Sequence, residues 1–374
     1  HRGEKVCRYD DGNTLVFTCP FHGWSYGTDG KLVGVAYYTE AYNGGLDKGQ
    51  WGLHQVAQIC NFYGSIWATW DPKAPSFDDY VGPFGESIRH CMQSSDGEDN
   101  GVEVFNPVHK WRLPTNWKVP AFTSSTDPAH AAMTHRSVNA AAIGPQGEQE
   151  GGNRAPVRAP FPTESYVIGD HNLGHGGGFT AYLQPGWRDY VDTWVEPGVD
   201  EYFRKTNEAK QLKYANQVAA GHGHGGSHFC VFPNIIFDSW RMRQWHPQSV
   251  GVVERWSLFG IDREAPKHVK DATRHYVMRY NGPTGMTESD DMENWNYVYP
   301  ASRGTIARRL DYNFQAGLAR GFEKNDRLDG VTFSQKVSEE AQRARYSRWL
   351  AFMEAKSWDD LYPVNKSANH KVFP

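Results

Sequence analysis

Cys19-Pro20-Phe21-His22-Gly23-Trp24 places a thiolate and an imidazole three positions apart. A tight turn lets both reach one metal centre, and sulfur with imidazole suits a transition metal. Gly23 permits close backbone approach, and the Trp24 indole is large enough to shield such a centre from water. The same six residues also satisfy a plain β-turn with a buried cysteine and a surface histidine. Their meaning depends on what surrounds them.

Around this segment, residues 1–75 read as β. Thr14-Leu15-Val16-Phe17-Thr18 and Ser65-Ile66-Trp67-Ala68-Thr69-Trp70 are β-branched or aromatic runs. Asp11-Gly12-Asn13 and Thr28-Asp29-Gly30 are hairpin-turn signals. Asp71-Pro72-Lys73-Ala74-Pro75 reads as a domain boundary, leaving 76–374 as a second domain. There, Lys267–Tyr280 and Ser334–Lys356 have helical composition, and Val231–Trp245 and Gly251–Asp262 look like strands. The Gly- and Pro-rich stretch Gly144–Gly178 is expected to be loop beside a pocket. Strands grouped apart from helices, without strict βαβ alternation, favour an α+β class.

The composition excludes several functions. With 374 residues, 39% of them hydrophobic, the chain can bury a sizeable core. An aromatic content of 14%, with 14 tryptophans, suits a large aromatic core or an apolar cavity. A net charge of −4 without a basic block argues against nucleic acid. No run approaches the ~18 apolar residues of a membrane span, and no signal-peptide pattern opens the chain. Cys7, Cys19, Cys60, Cys91 and Cys230 are too sparse for a disulfide framework, so a reducing cytoplasm is expected. The chain opens on His1-Arg2-Gly3 without a methionine and reads as a piece of a longer parent, with the question of a targeting segment left open.

A second constellation runs from Asn116-Trp117-Lys118 through Asp127-Pro128-Ala129-His130 to His135. Activation of dioxygen wants Fe(II) held on one face by two neutral imidazoles and a carboxylate, with open positions opposite. Five positions separate the histidines, about 140° around an ideal helix, so a straight helix does not aim both at one ion. A break or a bulge is required. Asp127-Pro128 is also an ordinary helix start, with Asp as N-cap and Pro at the first position. Further on, Gly282-Pro283-Thr284-Gly285 precedes Glu288-Ser289-Asp290-Asp291-Met292-Glu293-Asn294-Trp295. There Ser289 or Asp290 suits the cap of a helix carrying Met292 and Trp295.

Together these segments resemble the Rieske non-haem iron aromatic-ring-hydroxylating dioxygenases, specifically their large (alpha) subunits. Cys19–Trp24 is similar to the second half of the Rieske motif. His1-Arg2-Gly3, with 17 residues between His1 and Cys19, is similar to the end of its first half, Cys-x-His followed by Arg-Gly. A Rieske centre holds one iron by two cysteines and the other by two histidines. The resemblance therefore implies His1, Cys19 and His22 as ligands, with the fourth, a cysteine, two positions before His1 in a longer parent. Cys7 is wrongly spaced and reads as structural. Asn116–His135 aligns with the family pattern without a gap, which implies His130 and His135 as ligands of a mononuclear Fe(II). The Gly-Pro-x-Gly…Asp-Asp segment implies Asp291 as the third, with Asp290 the rival if the register is off by one. Asp127 matches the family's bridging carboxylate, which links a Rieske histidine of one subunit, here His22, to an iron-ligand histidine of the next, here His130.

The resemblance also implies an N-terminal all-β Rieske domain and an α+β catalytic domain, whose curved antiparallel sheet and helices enclose the iron. It implies a two-iron two-sulfur cluster, O2 as co-substrate, and electrons from NAD(P)H through a reductase or ferredoxin. It implies a trimer of alpha subunits, often with small beta subunits, and a cis-dihydrodiol product. Thr123, Ser124, Ser125, Thr126, Asn281 and Thr287 stand where relatives that act on bare hydrocarbons carry larger or apolar groups. A buried polar wall needs hydrogen-bond partners, and Arg243, Lys336 or Arg343 suit a carboxylate. An aromatic acid such as phthalate is the weakly preferred substrate, with a polycyclic hydrocarbon as alternative. A Rieske monooxygenase or demethylase shares all three motifs, while a Rieske electron carrier needs only the first. Gly221-His222-Gly223-His224 with His228 reads as a flexible loop, because glycines cannot pre-organise ligands.

Overall fold

The computed structural model describes residues 1–124, 127, 130–136, 165–180, 198–219, 228–238, 241–321, 323–324, 331–335 and 337–361. The chain divides into two compact units, His1–Ala74 and Pro75–Pro374.

The first unit holds β1 (Val16–Thr18), β2 (Ser25–Gly27), β3 (Leu32–Gly34), helix α1 (Tyr38–Tyr42), β4 (Gln58–Phe62) and β5 (Ser65–Thr69). β1-β2-β3 form an antiparallel sheet and β4-β5 a hairpin. Thr28-Asp29-Gly30 turns β2 into β3, with Gly30 at φ +80°, a conformation that favours glycine. Asp11-Gly12-Asn13 is not a hairpin turn, since no strand precedes it among the described residues. Cys19, Trp24, Tyr26 and Leu32 form the buried core.

The second unit opens with α2 (Phe77–Val81), α3 (Gly85–Met92), β6 (Val102–Leu113), α4 (Lys118–Thr123) and α5 (Ala131–Thr134). β7 (Ser165–Asp170), β8 (Gly176–Thr180), α6 (Val199–Ala219), β9 (His228–Val231), β10 (Ile235–Asp238), β11 (Arg241–Ser249) and β12 (Val252–Asp262) follow. α7 (Lys267–Asn281), α8 (Glu288–Ser302), β13 (Glu323–Lys324), β14 (Val331–Gln335), α9 (Glu340–Glu354) and α10 (Trp358–Leu361) complete it. The nine strands among its described residues make one antiparallel sheet in the order β13-β14-β7-β8-β9-β10-β11-β12-β6. Along β12, Val253, Arg255, Ser257, Phe259 and Ile261 point inward, the period of two that a half-buried strand requires. α7 answers with Val269, Ala272, Thr273, Tyr276 and Val277, spaced for one helical face. The architecture is α+β.

Three local expectations change. Part of Gly144–Gly178 is not loop: β7 and β8 occupy 165–170 and 176–180, while 144–164 lie outside the described residues. Gly169 and Gly176 serve packing, while Gly174, at φ +75°, serves the β7–β8 turn. A Cβ on Gly176 would lie 2.5 Å from the Ile168 carbonyl and 3.3 Å from Ala341 Cβ on α9. The run Val231–Trp245 is not one strand. It breaks after Val231, where Pro233 offers no ladder donor, and resumes as β10 and β11. The helix expected from Ser334 starts at Glu340, whose N–H donates to Ser338 Oγ at 3.1 Å; Ser334 and Gln335 end β14.

Candidate metal centres

Asn116 starts the first segment of the iron-site candidate. Its Oδ1 accepts from Lys118 N at 3.1 Å and its Nδ2 donates to the Val250 carbonyl at 2.8 Å, which seats α4 beside the β11–β12 turn. At the other end of α4, Arg345 of α9 donates to the Phe122 carbonyl at 3.1 Å and to that of Gly176 in β8 at 2.7 Å. Beyond α4, Asp127 Oδ1 accepts from His130 N at 3.3 Å, which is the capping role its sequence context suggested. The angular conflict between His130 and His135 is resolved by brevity. α5 spans only Ala131–Thr134, and the histidines flank this single turn. Their rings stand edge to face, with centroids 5.5 Å apart.

Asp291 completes the set from the first turn of α8. Its Oδ1 lies 3.4 Å from His130 Nε2 and 3.6 Å from His135 Nε2. These three residues are the one His/Cys/Asp/Glu group among the described residues whose ligand atoms all lie within 4.8 Å of one another. Two atoms each about 2.0–2.2 Å from one ion sit about 3 Å apart when their bonds are perpendicular, and further as the angle opens. The residues present therefore fit an ion. At His130 the outer nitrogen is occupied in the right sense, Nδ1 contacting the Asp127 backbone carbonyl, whereas His135 Nδ1 lies 3.5 Å from Asp290 Oδ2 without a hydrogen bond between them. The carbonyl partner favours the His130 tautomer that leaves Nε2 as donor to a metal. Asp290 thus stands on the far side of His135, not in the ligand position. Burial pushes the Asp291 carboxyl up to about 7; the nearby Glu288 charge adds to this, while His135, Arg243 and Arg255 pull it back.

In the first unit, Cys19 is 2% exposed and heads a tight turn, with Cys19 N donating to the Trp24 carbonyl at 2.8 Å and Gly23 N to that of Cys19 at 3.0 Å. Gly23 has φ +72°, so glycine is required at that step. His1 stacks on Trp24 at 4.2 Å between centroids and meets His22 at 4.9 Å. His1 thus lies between the Trp24 indole and the His22 ring, and Cys19 packs in the same core as Trp24. Their atoms need not meet at a single point, since a Rieske centre divides its ligands between two irons. Cys7 is exposed rather than buried, so the structural role expected of it is not a core one.

Along 99% of its length the chain is 33% identical to the biphenyl 2,3-dioxygenase alpha subunit of Rhodococcus jostii (strain RHA1), covering 78% of that protein. The chain belongs to the alpha subunits of the Rieske aromatic-ring-hydroxylating dioxygenases. A benzene 1,2-dioxygenase alpha subunit of Pseudomonas putida is 31% identical over 96% of the chain and 78% of its own length. The fold matches naphthalene 1,2-dioxygenase, in a structure with indole bound in its active site, at a TM-score of 0.79 over 96% of this chain and 78% of that one; identity is 24%. No protein-family model matches. Like these relatives, the chain is a Rieske non-haem iron dioxygenase.

For this dioxygenase alpha subunit the polar-wall reading needs correction. Arg243 does not face a substrate. It is 3% exposed, and its Nη2 pairs with Asp238 Oδ2 at 3.0 Å. Arg343 is committed to Glu340 and to the Phe314 and Ala316 carbonyls. Thr123 Oγ1 donates to the Val119 carbonyl at 2.7 Å and Thr287 Oγ1 to that of Tyr280 at 3.0 Å, so the protein satisfies them itself. Asn281 is buried at the end of α7, and the Ser124 hydroxyl is buried without a partner among the described residues. Ser125, Thr126, Lys336 and the His222/His224 loop lie outside the described residues; so does the His228 side chain, although His228 opens β9.

Arg255 and Glu288 were missed by sequence reasoning. Arg255 donates from both Nη atoms to the Glu288 carboxylate, Nη2 to Oε1 at 2.8 Å. Burial alone would raise the Glu288 carboxyl, but the Arg255, Arg241 and Arg243 guanidiniums outweigh it and hold it at about 2. One signal was available: an arginine at an inward position of the period-two alternation of β12.

Proposed function

We propose that this chain is the terminal oxygenase subunit that adds both atoms of O2 to an aromatic hydrocarbon, giving a cis-dihydrodiol. The convergence of His130, His135 and Asp291 in the second unit carries the reading. When bound, the mononuclear iron supplies dioxygen activation and a two-iron two-sulfur cluster supplies electrons. His130 and His135 are proposed to hold that iron through Nε2 and Asp291 through a carboxylate oxygen. His1, Cys19 and His22 are proposed to hold the cluster, with a cysteine from the longer parent. Asp127 keeps His130 in its tautomer through the backbone carbonyl, and its carboxylate is proposed to hydrogen-bond His22 of a neighbouring subunit. His1–Ala74 would then be the Rieske domain and Pro75–Pro374 the catalytic domain.

The substrate reading moves from an aromatic acid toward a hydrocarbon. The relatives are named for biphenyl, benzene and naphthalene. Arg243 and Arg343, the carboxylate partners expected from the sequence, are spent on internal contacts. A ring of alpha subunits, a small beta subunit and a ferredoxin or reductase are the proposed partners, in the cytoplasm. No helix among the described residues is long and apolar enough to cross a membrane.

The test supplies the full-length parent, its partners and labelled O2 to biphenyl, naphthalene and phthalate in turn. Two labelled atoms in a diol from a hydrocarbon are expected. One labelled atom per product would make it a monooxygenase, and turnover of phthalate alone would restore the acid.

A further inference from the structure

Behind Asp291 lies a group of buried charges that holding an iron does not itself require. Glu288 opens α8, three positions before Asp291 and so on the same face. Arg255 grips its carboxylate with both Nη atoms, and Arg241 Nη1 adds a bond at 3.1 Å. The Arg255 guanidinium lies over two indoles, with its central carbon 4.5 Å from the Trp111 ring centre and 4.9 Å from that of Trp245. Its Nε donates to Ser257 Oγ at 2.9 Å. Arg241 and Arg243 share Asp238 at 2.8 and 3.0 Å. Arg255 stands on β12, Trp111 on β6 and Trp245 on β11. The first turn of α8 is thereby riveted to three adjacent strands.

Buried ion pairs of this kind rarely repay their desolvation in stability, and apolar replacements of equal volume are often neutral or better. What a planar, bidentate fork does supply is direction, because it fixes both the place and the rotation of the carboxylate it holds. The other contacts of the same turn agree. Met286 N and Thr287 N donate to the Arg279 and Tyr280 carbonyls at 3.1 and 3.3 Å, tying the entry of α8 to the end of α7. A Cβ on Gly285 would sit 2.5 Å from the Tyr280 carbonyl, so that close approach needs glycine. Beyond Asp291, Met292 Sδ accepts from Trp111 Nε1 at 3.0 Å, the same indole that stacks on Arg255.

We propose that Arg255 and Glu288 are a positioning pair that sets the rotation of the first turn of α8 and so aims the Asp291 carboxylate at the point where His130 and His135 converge. The inference rests on the reading of those three residues as an iron site.

The test uses the full-length holoenzyme with its partner subunit. Glu288→Gln removes the charge at nearly constant shape; the double variant Arg255→Met/Glu288→Met removes both charges and keeps the volume. Near-ultraviolet circular dichroism reports the fold, Fe(II) titration reports affinity beyond the cluster, and the visible spectrum of Co(II) in the mononuclear site reports its geometry. Native dichroism with Fe(II) binding weakened about tenfold or more and a shifted Co(II) spectrum is expected for both variants. Where Glu288→Gln does not fold, the double variant decides by the same readouts. Parental Fe(II) affinity and Co(II) spectrum in the folded double variant would reduce the pair to a structural role and overturn the proposal. His130→Ala is the control. Retention of the mononuclear iron there would place the metal elsewhere and sink the site reading itself, whereas its loss leaves positioning alone under test.

Discussion

In His1–Ala74, Cys19 and His22 sit on the turn between β1 and β2, strands of three residues, with His1 ahead of β1 and a core of four buried side chains. In Pro75–Pro374 they project from α8 and from either side of α5, over a nine-stranded sheet. The first unit has little apolar area with which to offset chain entropy. A metal cluster joining its turns would contribute to its folding directly. In the second, Arg255, Glu288 and the α7–α8 turn are proposed to fix Asp291, while His130 and His135 are set on either side of the single turn α5. One centre is expected to be part of its fold, the other to be a guest in one.

The largest expected effects test that contrast by emptying each site in turn. Asp291→Ala should lose the mononuclear iron and drop turnover to background while the second unit unfolds at its usual temperature. Cys19→Ser should lose the cluster and expose the first unit to proteolysis. Equal protease resistance with and without the cluster would erase the distinction. Asp127→Ala comes next. It should keep both metals by iron analysis, yet cut coupled turnover by about a hundredfold; normal turnover would remove its bridging role.

A smaller effect concerns how the second unit is held. Phe232 N donates to His175 Nδ1 at 2.9 Å, so Nε2 carries the proton and donates to the Tyr80 carbonyl at 2.6 Å. Burial, with Arg348 and Arg345 nearby, pushes this histidine down to about 4. The folded state therefore holds it neutral. Its contribution is complete above the unfolded value of about 6.5 and is lost as pH falls from there toward 4, by about 3 kcal/mol. His175→Gln, able to donate and accept at the same places, should flatten that part of the acid dependence in urea midpoints between pH 7 and 4.5. An unchanged slope would remove His175 from the account.

The smallest effect compares one substitution in the two units. Gly176→Ala drives a methyl into the Ile168 carbonyl and should cost about 1–3 kcal/mol. Gly64, at φ +85° in the β4–β5 turn, has open space around its missing Cβ. Gly64→Asn should cost less than Gly176→Ala, since asparagine tolerates that backbone. Melting temperatures rank the two.

Short-range chemistry was legible before any coordinates. The Cys19–Trp24 turn, the spacing of His130 and His135, and the strands and helices with unbroken periodicity, β12 and α7 among them, are written in neighbouring residues. Asp291 was legible only with the family pattern beside it, because nothing local separates it from Asp290. The roles of polar residues were least legible. Arg243 on β11 looked available for a substrate carboxylate because a strand's own sequence does not reveal what lies across from it. Gly169 and Gly176 looked like loop formers because the helix that needs their bareness is α9, far along the chain.

At the Cys19–His22 turn, His1 stacks on Trp24 and meets His22, the arrangement that supports its proposed cluster-holding role. Residue types and local spacing alone pointed to an α+β fold and supplied candidate metal ligands, since periodicity and ligand sets are properties of neighbours; the family resemblance was what made metal centres of those candidates. Tertiary structure alone decided which aspartate faces both histidines, that a one-turn helix reconciles them, and that Arg255 and Glu288 stand behind Asp291. Those depend on desolvation and on contacts between segments that meet only when the sheet is assembled.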